Sequence, residues 1–101
     1  PEALADVPAD LVTWFELSDG ARPRPGATAH DLFVETTTAR TFPGEGELAV
    51  AAYAAAAARL GYAGPWGVEV FNSDWALRDL AETCAKVADT GRATLRAAGV
   101  A

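Results

Sequence analysis

The hydrophobic and polar positions along the chain form two short apolar runs and two longer segments with helical character. Residues 11–17 and 66–71 are rich in β-branched and aromatic side chains. Ser-Asp-Gly follows the first run and Asn the second, a pattern typical of strands that lead into turns. Residues 47–60 are dominated by alanine, and residues 75–95 carry apolar side chains at helical spacing, so both are predicted helices. A strand–helix–strand order of this length predicts that the two strands pair in parallel.

The connection after the first predicted strand is long. Residues 21–30 contain two prolines and a glycine and are predicted to be irregular, whereas residues 30–40 form either a short helix or a loop. Connections of this length between regular elements are often functional lids.

The two helices are predicted to bury narrow apolar faces. On the alanine-rich helix the predicted buried positions are Leu48, Ala52, Ala55 and Ala56. On the last helix they are Ala76, Leu80, Cys84, Val87 and Gly91, with Asn72 or Ser73 as the predicted N-cap. Cys84 is therefore interpreted as a small buried hydrophobe.

Two parallel strands and two helices do not make a finished domain, because parallel sheets normally have several strands and both faces covered. The chain has 101 residues and begins at Pro1 without an initiator methionine. We therefore expect it to be part of a larger α/β protein that extends upstream, with a targeting segment there left open.

Charge and composition narrow the function. The formal net charge is −6 and the cations are scattered, which argues against a nucleic-acid-binding face. No apolar run approaches the roughly 20 residues that a membrane span needs. One cysteine excludes an intrachain disulfide and favours a reducing, cytoplasmic location.

Two carboxylates stand out because of their position on the predicted strands. Glu16 lies near the end of the first strand and Glu69 in the second half of the second. Active sites of parallel α/β folds lie at the carboxyl ends of strands, and residue alternation allows both side chains to face one site. An unpaired buried carboxylate is costly. A metal or catalytic role and an ion pair with an arginine such as Arg40 or Arg59 therefore both remain open.

Two motifs resemble the sugar phosphate isomerase/epimerase superfamily, the xylose isomerase-like barrels. The first is Arg-x-x-Pro-Gly-x-Gly at residues 40–46, and the second is Gly-Tyr-x-Gly-Pro-x-x-Val-Glu at residues 61–69. The resemblance covers roughly residues 11–95. It implies that the chain is the last two βα units of a (β/α)8 TIM barrel, here a single C-terminal part, residues 1–101, that is incomplete without upstream strands.

The resemblance also implies roles for individual residues. Glu69 corresponds to the last ligand of a divalent metal (Mn, Mg or Co) and to a carboxylate that transfers protons. Glu16 stands where the family has a His or Gln ligand, and Asp19, three residues later, is a metal-orienting group or a turn former. Arg40 corresponds to an arginine that contacts substrate oxygens. Trp66 lies close enough to Glu69 in sequence to wall a sugar pocket.

The implied function is a metal-dependent isomerase or epimerase of carbohydrate metabolism that removes a proton beside the carbonyl of a keto sugar or sugar phosphate. The first alternative is a dehydratase of the same superfamily, of the inosose or 3-dehydroshikimate type. The second is a non-catalytic α/β fragment or interaction module. The implied partners are a small sugar or polyol and the rest of the barrel, and a homo-oligomer is left open.

Overall fold

A computed structural model describes residues 1–100 of the chain. Its two strands are β1 (Phe15–Leu17) and β2 (Trp66–Val68). Its three α-helices are α1 (Ala29–Thr38), α2 (Val50–Arg59) and α3 (Leu80–Ala97), and short 3-10 helices span Glu2–Asp6, Ala9–Leu11 and Trp75–Leu77.

The two strands pair in parallel, as the element order predicts. Phe15 lies opposite Trp66 and Leu17 opposite Val68. Pairing covers only three residues of each strand, so both strands are shorter than the apolar runs that predicted them. The ladder still continues by one hydrogen bond, because the Glu69 N–H donates to the Leu17 carbonyl at 3.1 Å.

One face of this small sheet packs against the helices. Leu17 is buried, and a Cβ placed on Gly91 of α3 would lie 3.1 Å from Cγ2 of Val68. Gly91 is therefore a point of close approach between α3 and β2, where the missing side chain lets the helix backbone reach the sheet. The buried core continues through Phe42, Val50 and Tyr62.

The second half of the long connection is a helix. α1 begins with a capping box, in which the Asp31 N–H donates to the Thr28 hydroxyl and the Thr28 N–H donates to the Asp31 carboxylate. These two bonds satisfy N–H groups that a helix start otherwise leaves free. The preceding residues 21–28 contain no helix or strand, as predicted.

The predicted buried faces of the other two helices are largely wrong. The buried residues of α2 are Val50, Ala54, Ala56 and Ala57, so only Ala56 is shared with the prediction. On α3, Gly91 and Thr94 are buried, whereas Leu80 and Cys84 are exposed. A run of alanines contains no contrast between apolar and polar positions, which is why periodicity could not identify the buried side of α2.

The last helix also begins later than predicted. The side chain of Asn72 accepts hydrogen bonds from Asp74 N and Trp75 N at the start of the short 3-10 helix, so neither Asn72 nor Ser73 is the N-cap of α3. A separate N-cap, Asp79, accepts from Ala81 N and Glu82 N and begins α3. Among residues 1–100, no helix combines the length and apolar composition that crossing a membrane requires.

The α1 capping box predicts a pH-dependent helix end. The hydrogen bonds from the Thr28 hydroxyl, and next from its backbone N–H, hold the pKa of Asp31 below its usual value of 3.8. Because the folded state has the lower pKa, the stabilisation is complete above the unfolded pKa and is lost as the pH falls through the folded value. We expect NMR shifts of the first turn of α1 to move toward coil values below about pH 4.

The Asp31→Asn variant provides the control for this pH dependence. It should weaken the first turn at every pH, because a neutral amide oxygen accepts the Thr28 hydrogen bonds less strongly than a charged carboxylate does. A first turn that stays fully helical in the variant at neutral pH would contradict the assigned role of Asp31.

Candidate functional site

A short segment, residues 39–41, crosses the carboxyl ends of both strands. Thr41 forms an antiparallel bridge with Asp19, just beyond β1, and Ala39 forms one with Asn72, beyond β2. The Arg40 N–H donates to the Phe71 carbonyl at 3.0 Å, and the Asn72 side-chain amide donates to the Arg40 carbonyl at 2.8 Å. These two hydrogen bonds hold the backbone of Arg40 at the strand ends, where parallel α/β folds bind their ligands.

Asp19 is the most deeply buried charged residue at these strand ends, with 1% of its surface exposed. Its Oδ1 accepts from Gly20 N at 2.8 Å and Leu48 N at 2.9 Å, and its Oδ2 accepts from Gly44 N at 3.0 Å. Hydrogen bonds to the charged form compensate its burial. Asp19 therefore holds the loop before α2 onto the end of β1.

Gly46 allows the loop to close around Asp19. A Cβ at this position would overlap Oδ1 of Asp19 and lie 2.5 Å from the backbone nitrogen of Gly20. Only glycine leaves room for that approach. The Pro-Gly-x-Gly part of the motif thus has a structural explanation, which is separate from any contact with a ligand.

The second face of the sheet is open and carries both candidate carboxylates. A Cβ on Gly67 would lie 3.2 Å from Cγ of Glu16 and 2.9 Å from Cζ2 of Trp14, so these two side chains cover Gly67. Alternation places Glu69 on the face of Gly67. The structure therefore supports the prediction, made from residue alternation, that Glu16 and Glu69 lie on one face of the sheet.

Both carboxylates are exposed in the described chain, so the expected burial of Glu69 is wrong for residues 1–100. The physical reason is that nothing described here covers this face, on which Trp14 is 52% exposed. Within residues 1–100 neither Glu16 nor Glu69 forms a salt bridge, and neither pairs with Arg40 or Arg59 as the structural alternative required.

Arg40 lies beside a residue that sequence reasoning missed. Its Nε is 3.7 Å from Oε2 of Glu35 in α1, and the two side chains are 21% and 24% exposed. No sequence pattern predicts this pair, because Glu35 belongs to the long connection and its contact with Arg40 depends on how α1 docks. The sequence predicts Asn72 only as a helix cap, whereas its side-chain amide donates to the Arg40 carbonyl.

Trp66 lies away from the open face. It is at the amino end of β2, stacked on Phe15 with ring centroids 5.3 Å apart and in an edge contact with Tyr62 at 5.2 Å. Alternation puts the Trp66 side chain on the face of the sheet opposite to the open face. The predicted contact of Trp66 with substrate stays a prediction.

The carboxylates on the open face fit part of a metal site. Carboxylate oxygens suit hard divalent cations such as Mg or Mn, and neither Glu16 nor Glu69 is engaged by a cation of residues 1–100. No group of three or more His, Cys, Asp or Glu in the described part of the chain is placed to hold a metal. The pair therefore fits two ligands of a larger set.

Comparison with known proteins gives one informative relative. No protein-family model and no solved structure matches the chain. A 3-dehydroshikimate dehydratase from Pseudomonas putida is 32% identical to it over 72 residues, which are 71% of this chain and 11% of the relative. This chain is similar to a short part of an enzyme. The relative's name agrees with the dehydratase alternative and does not extend to an isomerase or epimerase.

The geometry around Asp19 predicts a strong effect on stability. Asp19→Ala should lower the free energy of unfolding of the complete protein by roughly 2–5 kcal/mol, because it leaves the N–H groups of Gly44 and Leu48 without their acceptor. Asp19→Asn should have an intermediate effect, since one oxygen remains. Urea denaturation measures both changes.

Asp10 provides the matched control, because it is an exposed aspartate in a short 3-10 helix. Asp10→Ala should change the free energy of unfolding by no more than about 0.5 kcal/mol. Equal effects of the Asp10 and Asp19 substitutions would show that the Asp19 hydrogen bonds do not hold the loop.

Proposed function

We propose that this chain supplies the last two βα units of the TIM barrel of a divalent-metal-dependent dehydratase, which acts on a small hydroxylated keto acid of the 3-dehydroshikimate type. Glu69 and Glu16 are metal ligands, Glu69 also transfers a proton, and Arg40 binds substrate oxygens. The observation that carries this proposal is the open sheet face, which bears both Glu16 and Glu69 and on which neither has an ion-pair partner in residues 1–100. The name of the distant relative favours the dehydratase over the isomerase and the epimerase.

The proposed reaction begins with removal of a proton next to the substrate carbonyl. Glu69 accepts this proton as a general base, and a β-hydroxide then leaves as water after protonation. A bound divalent cation would supply stabilisation of the negative charge that develops on the carbonyl oxygen. The guanidinium of Arg40 donates hydrogen bonds to substrate oxygens and fixes the orientation of the ring.

An isomerase or epimerase would share the first step and differ in the second. In both, the abstracted proton returns to carbon, whereas in the dehydratase a hydroxide is expelled. The residues of this chain serve either outcome, so the isomerase or epimerase stays a prediction. Assay of the complete protein against 3-dehydroshikimate and a panel of keto sugars distinguishes the two classes.

The proposed architecture is the final two βα units of a TIM barrel. Its support is the parallel pairing of β1 and β2, together with the close approach of α3 to Val68 on one face while Trp14 on the other face is exposed in residues 1–100. In a barrel the other face is the interior, which would cover Trp14, Glu16 and Glu69. A TIM barrel needs eight strands and about 250 residues, so we expect residues 1–101 alone to be inactive.

A non-catalytic module is the rival from another class. It requires Glu16 and Glu69 to be structural ion-pair residues, and the salt bridges of residues 1–100 include neither of them. Metal content provides the discriminating measurement. The enzyme should retain about one divalent ion per barrel, whereas an interaction module should retain none.

Glu69→Gln tests the proposed function most directly at the residue level. The amide keeps the shape of the side chain and removes its charge and basicity. In the complete protein we expect weaker Mn²⁺ binding by calorimetry and a fall in kcat of roughly 10²-fold or more with 3-dehydroshikimate. Consumption of substrate and formation of the dehydrated product are followed by NMR.

Asp89→Asn is the control, because Asp89 is an exposed carboxylate of α3 without a salt bridge in the described chain. It should leave both kcat and Mn²⁺ affinity unchanged. Normal turnover and normal metal binding in Glu69→Gln would remove Glu69 from the site and contradict the proposal.

A further inference from the structure

Helix α1 is attached to the candidate site at its carboxyl end. The Ser73 N–H donates to the Thr38 carbonyl at 3.0 Å, and two residues later the Arg40 N–H donates to Phe71. The Ser73 donor and the Phe71 acceptor both belong to the segment that follows β2. Because the end of α1 is fixed there, the last turns of the helix lie beside the strand ends.

Glu35 on this part of α1 faces Arg40. Its Oε2 lies 3.7 Å from Nε of Arg40, and both side chains are largely buried. The other carboxylate oxygen, Oε1, is buried and has no hydrogen-bond donor among residues 1–100. A buried acceptor without a donor is costly, so the contact with Arg40 must outweigh that cost for the side chain to remain where it is.

Gly20 provides the space for this pair. A Cβ at position 20 would overlap Oε1 of Glu35 and lie 2.8 Å from Nη1 of Arg40. Gly20 directly follows Asp19, and its N–H donates to the Asp19 carboxylate. The same Gly20 backbone packs against the side chains of Glu35 and Arg40.

We infer that Glu35 is a positioning residue, which orients the guanidinium of Arg40 for substrate binding; this rests on the role given to Arg40 in the proposed function. An arginine side chain has many rotamers, and an opposite charge on one side restricts them before a ligand arrives. Because Oε1 is buried, Glu35 acts through Arg40 and does not itself touch the substrate. The function of α1 is then to carry this orienting carboxylate.

The inference is tested in the complete protein with Glu35→Gln, Arg40→Lys and the double variant. Glu35→Gln should lower kcat/KM for 3-dehydroshikimate by about tenfold, mainly through KM, because the guanidinium loses the neighbouring charge that restricts its rotamers. The double variant should be no worse than Arg40→Lys alone, because both changes remove one interaction. Mn²⁺ affinity should stay unchanged.

A readout independent of activity is the NMR resonance of the Arg40 Nε–Hε group. It should shift in Glu35→Gln and stay in place in the control Glu82→Gln, which removes a comparable charge from the half-exposed pair of Arg78, just before α3, and Glu82 in its first turn. An Arg40 resonance that Glu35→Gln leaves unchanged overturns the inference, as does an additive double variant.

The two levels of proposal can fail separately. If the Arg40 resonance shifts in Glu35→Gln but the wild-type protein does not convert 3-dehydroshikimate, Glu35 does orient Arg40 and the proposed dehydratase function is wrong. If the wild type is active and Glu35→Gln lowers only the melting temperature, the pair is purely structural and the inference is wrong.

Discussion

The carboxylate of Asp19 accepts hydrogen bonds from three backbone N–H groups, and the arrangement of the site follows from these bonds. Two of the donors, Gly44 and Leu48, belong to the loop before α2, so this loop is fixed to the end of β1. The backbone of Asp19 also pairs with Thr41 in an antiparallel bridge. Arg40 is next to Thr41, so its position at the strand ends depends on the same residue.

This network changes the interpretation of the motif at residues 40–46. Sequence reasoning connected it with substrate, through Arg40, and assigned Asp19 a place near a metal or in a turn. The structure gives Asp19 and Gly46 a common structural role, because the glycine allows the loop to approach the carboxylate closely. The role proposed for Arg40 still concerns substrate, and Glu35 contacts its guanidinium from α1.

Local patterns predicted the elements and the parity of the strands well, because strand alternation has a period of two and needs no knowledge of neighbours. The shared face of Glu16 and Gly67 follows from it, whereas the parallel pairing follows from the strand–helix–strand order. The buried face of α2 could not be predicted, since alanine occupies both sides of the helix. The Glu35–Arg40 contact could not be predicted either, because it depends on the docking of α1.

The open face accounts for the two carboxylates in physical terms. Two glutamates on one face repel each other, and in a chain of net charge −6 they need a cation when that face is covered. A divalent ion would compensate both charges at once, and the described residues provide no arginine or lysine that pairs with either glutamate. Glu16 and Glu69 are exposed in residues 1–100. In the whole protein the proposed barrel would cover their face, and the two glutamates would then need a bound cation.

The most direct test is a crystal structure of the complete protein grown with Mn²⁺, with the ion located by its anomalous scattering. Our account predicts one anomalous peak on the open face, with carboxylate oxygens of both Glu16 and Glu69 at roughly 2.0–2.6 Å, the range of hard divalent cations. A face closed over these residues without an ion, with each carboxylate paired to an arginine or lysine, would contradict it.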